Sequence, residues 1–147
     1  DVLAALGLAQ LSRYDQLLKR RREIIEAYDK ALQPLGIETL QHYGDDFSSS
    51  GHLYLTRIPE IDEAQRNAII AKMAEAGVAC NVHFKPLPLF SAYKALGFQI
   101  EDYPNSYKQY ENEITLPLHT QLSDEDLAYI LEGIKSALVG VLGSCRS

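Results

Sequence analysis

Cysteine is scarce in this chain: two residues, Cys80 and Cys145, in 147. That is too few for a disulfide scaffold, and their spacing does not suggest zinc, so a reducing cytoplasm is the expected setting. Long apolar runs are also missing. No stretch approaches the roughly 20 residues of a membrane span, and the N-terminus lacks the basic-then-apolar order of a signal peptide, so no membrane partner is expected. Positive charge is in deficit, with a net charge of -6. This argues against a nucleic-acid partner, because phosphate binding relies on clustered Lys and Arg. The one basic run, Lys19-Arg20-Arg21-Arg22, leads into Glu23 and Glu26 and reads as a solvated helix face with neighbouring charge pairs. Gly-rich phosphate loops and GxSxG elbows are absent. None of His42, His52, His83 and His119 has a second His or a Glu at metal-ligand spacing, so no metal is expected.

What is present has the composition of an ordinary globular protein, 46% hydrophobic and 23% charged, of a length that suits one core. Val2 to Leu11 reads as a short helix that is apolar nearly all round and must be covered on every side. A second helix is predicted from Tyr14 to Leu32, with Tyr14, Leu17, Leu18, Ile24, Ile25, Tyr28, Ala31 and Leu32 at three- and four-residue steps, stopped by Pro34 and Gly36. Short strands are expected at Ile37 to Leu40 and His52 to Ile58, the second ending at Pro59. Asp62 and Gln65 have capping-box spacing ahead of a helix with Ile69, Ile70 and Met73 as its buried stripe. Gly77 closes that helix, and Val78 to Phe84 is predicted to return as a strand. Pro86 and Pro88 stiffen the loop from Lys85 to Leu89, and a turn or two of helix follows from Ser91 to Leu96. Pro104 to Glu111 reads as a helix, Glu113 to Leu116 as a strand, and Ser123 as N-cap of a final helix burying Leu127, Ile130, Leu131, Ile134, Ala137 and Leu138. The expectation is an α/β domain of α+β layout: a small, largely antiparallel sheet with helices packed on one face.

Four separated pieces, in order, carry a resemblance. DVLAALGLAQLSRYDQLLKRRREIIEAYDKAL opens the chain. HLYLTRIP follows at His52 to Pro59, then GVACNVHFKPLPLFSAYKALGF from Gly77 and LPLHTQLSDED from Leu116. Together they resemble the C-terminal part of the DegT/DnrJ/EryC1/StrS family of sugar aminotransferases, enzymes that use pyridoxal 5'-phosphate. The resemblance implies a C-terminal domain of the fold-type I transferases, with residues 1–34 as connecting helices from a large domain lying before residue 1, 35–140 as the small domain, and 141–147 as a tail. An excised domain would also explain an opening inside a helical pattern without Met. The resemblance further implies a nucleotide-linked keto-sugar as substrate, glutamate as amino donor, a homodimer with shared sites, and service in amino-sugar or surface-polysaccharide biosynthesis. A dehydratase of the same family, or a freestanding binding module with this fold, remains open as an alternative.

The lysine that attaches the cofactor in the relatives would belong to the large domain. None of Lys19, Lys30, Lys72, Lys85, Lys94, Lys108 and Lys135 lies in a matching Ser- or His-rich context, so no bound cofactor and no complete transamination are expected of this chain by itself. The candidate substrate contacts are His83, Asn81, Lys85 and His52. His83 ends the predicted strand just before the rigid loop, where a polar side chain can face a cleft; Asn81 and Lys85 flank it, and His52 opens its own strand. Each has a structural alternative: a histidine bonded to backbone, a solvated lysine. His119 reads as packing at a turn. Where many relatives have His after Pro-Leu, this chain has Pro88, which can neither donate nor accept a proton.

Overall fold

Good helix formers fill Val2–Leu11, and the computed structural model, which describes residues 1–143, makes them helix α1, capped by the Asp1 carboxylate on the Leu3 amide at 3.1 Å. α1 has no buried residue. Helix α2, Tyr14–Leu32, buries Ile24, Ile25, Tyr28 and Leu32. The stripe expected from Tyr14 onward therefore starts later: Tyr14 is exposed, Leu17 and Leu18 are half-buried, and Ile24 is the first buried residue of α2. The basic run is also more than a solvated face. Arg20 reaches the Leu122 carbonyl (2.6 Å) and the Asp124 carboxylate (2.8 Å), Arg21 donates to the Ser50 carbonyl, and Arg22 stacks on Tyr43 at 4.1 Å.

Strands β1 (Glu38–Thr39), β2 (Tyr54–Arg57) and β3 (Glu113–Leu116) form one antiparallel sheet in that order, with Tyr54 opposite Leu116 and Arg57 opposite Glu113. Gly51, just ahead of β2, has φ +62° and leaves no room for a Cβ, which would lie 2.9 Å from Ile25 Cδ1; this close approach seats the loop on α2. Between β2 and β3 lie α3 (Glu63–Glu75), α4 (Ser91–Ala95) and α5 (Pro104–Glu111), and α6 (Asp124–Leu142) follows. Both expected capping boxes are formed, Asp62 with Gln65 and Ser123 with Asp126. α3 packs on α6 and β3, and the core gathers Ile24, Ile25 and Tyr28 of α2, Tyr54 of β2, Ile69 and Met73 of α3, Ile114 of β3, and Ile130 and Ile134 of α6.

The strand predicted at Val78 to Phe84 does not form. Its amides are taken elsewhere: Val78 N–H bonds the Met73 carbonyl, Val82 N–H the Asn81 side chain, and His83 N–H the Glu113 carboxylate. Only Asn81 pairs, exchanging bonds of 3.1 and 2.8 Å with Thr115 in an isolated bridge. The predicted strand, helix, strand order is thereby replaced by a three-stranded sheet with one bridging residue at its edge. α6 continues through Leu142, and the rest of the expected tail, residues 144–147, lies outside the described residues. Among the described residues no helix is long and apolar enough to cross a membrane.

Candidate functional site

β3 is buried along its whole length, yet it opens with a glutamate. Glu113 is 0% exposed and accepts from the Thr115 hydroxyl at 2.5 Å and from the His83 amide at 2.8 Å. The two β3 residues share one face of the strand, two positions apart, so their side chains meet. Thr115 Oγ1 also lies 2.9 Å from His83 Nδ1. The bridge between Asn81 and Thr115 holds the irregular segment against the strand edge, which places the half-buried imidazole over Thr115. Phe84 meets that ring edge-on, with centroids 4.5 Å apart.

A buried cation stands behind this group. Arg66 of α3 is 1% exposed; its guanidinium lies 4.6 Å above the Tyr110 ring and 3.5 Å from Glu63, to which the Tyr110 hydroxyl donates at 2.8 Å. Burial raises the Glu113 carboxyl above its ordinary value, while the bonds from Thr115 and His83 and the charge of Arg66 pull the other way. Burial pushes the thiol of Cys80, two residues before Val82, up to about 11, which disfavours the thiolate.

The structure thus brings two of the four predicted contacts, Asn81 and His83, onto one strand edge. Lys85 is exposed and extends over the Phe90 ring at 5.5 Å, and His52 is exposed and apart from the cluster. Pro88 is buried, and His119 is exposed in a groove of about 600 Å³ with Ala79, Pro117 and Tyr129. A second groove of about 410 Å³, between Arg13, Gln16, Lys19 and Gln121, likewise excludes His83; the chemistry, not the volume, marks the site. Sequence reasoning missed Glu113, Thr115, Arg66 and Tyr110. A signal existed for Arg66, which shares the helical stripe of Ile69 and Met73, and for Glu113, a charge at the head of an apolar strand. Among the described residues no three His, Cys, Asp or Glu side chains gather as a metal site.

Comparison with known proteins gives a consistent result. The model of the DegT/DnrJ/EryC1/StrS aminotransferase family matches residues 1–135. The spore coat polysaccharide biosynthesis protein SpsC of Bacillus subtilis is 32% identical over 95% of this chain and 37% of its own length. The UDP-4-amino-4,6-dideoxy-N-acetyl-beta-L-altrosamine transaminase of Campylobacter jejuni is 32% identical over 94% of this chain and 36% of its own. Among solved structures, Spr1654 of Streptococcus pneumoniae in its PMP form superposes with a TM-score of 0.91 at 50% identity, over 96% of this chain and 35% of that one. The chain spans little more than a third of the length of these relatives. Its own lysines do not fit the attachment of such a cofactor: Lys19, Lys30, Lys72, Lys85, Lys94 and Lys108 are exposed, and Lys135 pairs with Glu132 at 2.8 Å, so none offers the dry pocket that a reactive amine requires.

Proposed function

The chain belongs to the DegT/DnrJ/EryC1/StrS aminotransferase family, and from this we propose that it is the C-terminal part of a pyridoxal-phosphate-dependent enzyme that aminates a nucleotide-linked keto-sugar. The observation that carries this reading is the match along nearly the whole chain, in fold and in sequence, to a protein solved with PMP. In such an enzyme the cofactor supplies the electron sink and the protein supplies orientation and proton placement. The attachment lysine would come from a large domain preceding this one, and this domain would close the other side of the cleft.

On that side, His83 would meet the sugar. Its imidazole is half-buried and held by Thr115, whereas Asn81, Lys85 and His52 are exposed and would contribute hydroxyl or phosphate contacts at the rim. A homodimer is the assembly we propose, in which the apolar α1 lies against a neighbouring domain or subunit. The exposed α1 favours a part of a larger enzyme over a freestanding module, whose outer face would be polar.

The test uses the gene's complete product with glutamate and UDP-linked keto-sugars as substrates. His83→Ala is expected to lower kcat/KM by at least tenfold while the cofactor's absorbance is unchanged. Incubating the 147-residue chain with pyridoxal phosphate and borohydride is expected to leave no single lysine stoichiometrically modified. Stoichiometric attachment at one lysine, or a complete product that aminates no nucleotide sugar, would overturn the reading.

A further inference from the structure

The Thr115 hydroxyl has one proton, and it points to Glu113 Oε1. The same oxygen, 2.9 Å from His83 Nδ1, can then only accept. We infer that Thr115 and Glu113 are positioning residues for His83, which lock its neutral ring as the Nδ1–H tautomer and leave Nε2 with a free lone pair for a hydroxyl or ammonium donor on the substrate.

Each group around the relay supports the same direction of donation. Glu113 Oε2 is occupied by the His83 amide, so the carboxylate accepts at both oxygens, as an ionised acid does. Burial favours the neutral acid, and the bonds from Thr115 and His83 together with the charge of Arg66, buried on α3, oppose it. Arg57, the cross-strand neighbour of Glu113, turns instead to Asn112 Oδ1 at 3.1 Å and Glu38 at 3.2 Å and does not compete for the carboxylate. A half-turn of the ring about Cβ–Cγ would put Cδ2 in the place of Nδ1 and lose the Thr115 bond. A histidine's tautomer is set by the partner of its other nitrogen, and here that partner is a hydroxyl whose own proton is already committed. In a cleft this makes His83 an acceptor: it would hold a sugar hydroxyl or take a proton, and would not donate one while neutral.

The inference rests on the proposed function only for what Nε2 meets. The tautomer itself is tested on the full 147-residue chain labelled with ¹⁵N, by long-range correlation of ring protons with ring nitrogens, His83 being assigned from its loss in His83→Gln. Neutral His83 is expected to show an N–H-type nitrogen at Nδ1 and a lone-pair-type nitrogen at Nε2. Thr115→Val, near-isosteric but without a hydroxyl, is expected to abolish that pattern, and Thr115→Ser to restore it, while the His42, His52 and His119 signals stay in place as the control for folding. Nε2–H in the native chain overturns the inference whether or not Thr115→Val folds; an unchanged His83 spectrum in a folded Thr115→Val also overturns it. In the complete enzyme, Thr115→Val is expected to lower kcat/KM about tenfold, with Thr115→Ser close to native. If the tautomer is as stated but His83→Ala leaves turnover intact, the positioning role stands and the functional reading of His83 falls.

Discussion

Glu113 shows how one side chain can be opposed by burial and sustained by its partners. Its carboxyl is held above the ordinary glutamate value chiefly by burial, so the folded state binds a proton more readily than the unfolded one. A raised carboxyl makes stability fall as pH rises past about 4.3, through the interval between the unfolded and folded values. Glu113→Gln removes that titration but loses an acceptor, since the Gln amide nitrogen cannot receive the His83 N–H. The expected outcome is a variant about 1 kcal/mol less stable below pH 4, with a gap that narrows as pH rises toward neutrality, read from urea unfolding at a series of pH values. A gap that widens with pH would mean that Arg66, His83 and Thr115 outweigh burial. At this scale the sequence was half legible. His83 and Asn81 stood out because they precede a Pro-stiffened loop, whereas Glu113, Thr115 and Arg66 act through contacts between residues 30 to 50 positions apart, which no local pattern displays.

Secondary structure was most legible where local chemistry decides it. α3 and α6 begin at side-chain caps that the sequence spells out, and Pro34, Gly36 and Gly77 mark the ends of α2 and α3. Val78 to Phe84 reads as a strand by composition, yet its amides are claimed by a helix terminus, an Asn side chain and a buried carboxylate, competitors that only the tertiary fold supplies. The cap of α6 also has a tertiary role, since Arg20 of α2 bonds both Leu122 and Asp124 beside it, placing a cation against the acidic first turn. Ser123→Ala removes the acceptor for the Asp126 amide and the donor to its carboxylate. It is expected to destabilise the chain by about 1 kcal/mol in urea, with an unchanged m-value. A loss below about 0.3 kcal/mol would show that the Arg20 bonds hold the terminus without the cap.

At the scale of the whole molecule, α1 is a separate case. Val2 is 77% exposed, Leu3 76% and Leu8 69%, and none of the ten residues of α1 contributes to the core. A helix apolar on every side gains its stability from packing rather than propensity, since ten residues lie below the length at which an isolated helix holds in water. Its exposed leucines are therefore expected to find one another when this chain is studied by itself. Sedimentation of the 147-residue chain should show association that strengthens with concentration. Removing residues 1–11 should abolish that association and leave the thermal midpoint within about 2 °C, because the deletion exposes nothing that the core had buried. A large fall in the midpoint would place α1 inside the cooperative unit. Persistent association without α1 would instead move the contact to another exposed apolar surface, such as Phe84, Leu87, Leu96 and Phe98 on the segment that follows His83. Association that vanishes while the core stays intact would identify α1 as a docking element outside the core, as the proposed cover by a neighbouring domain or subunit requires.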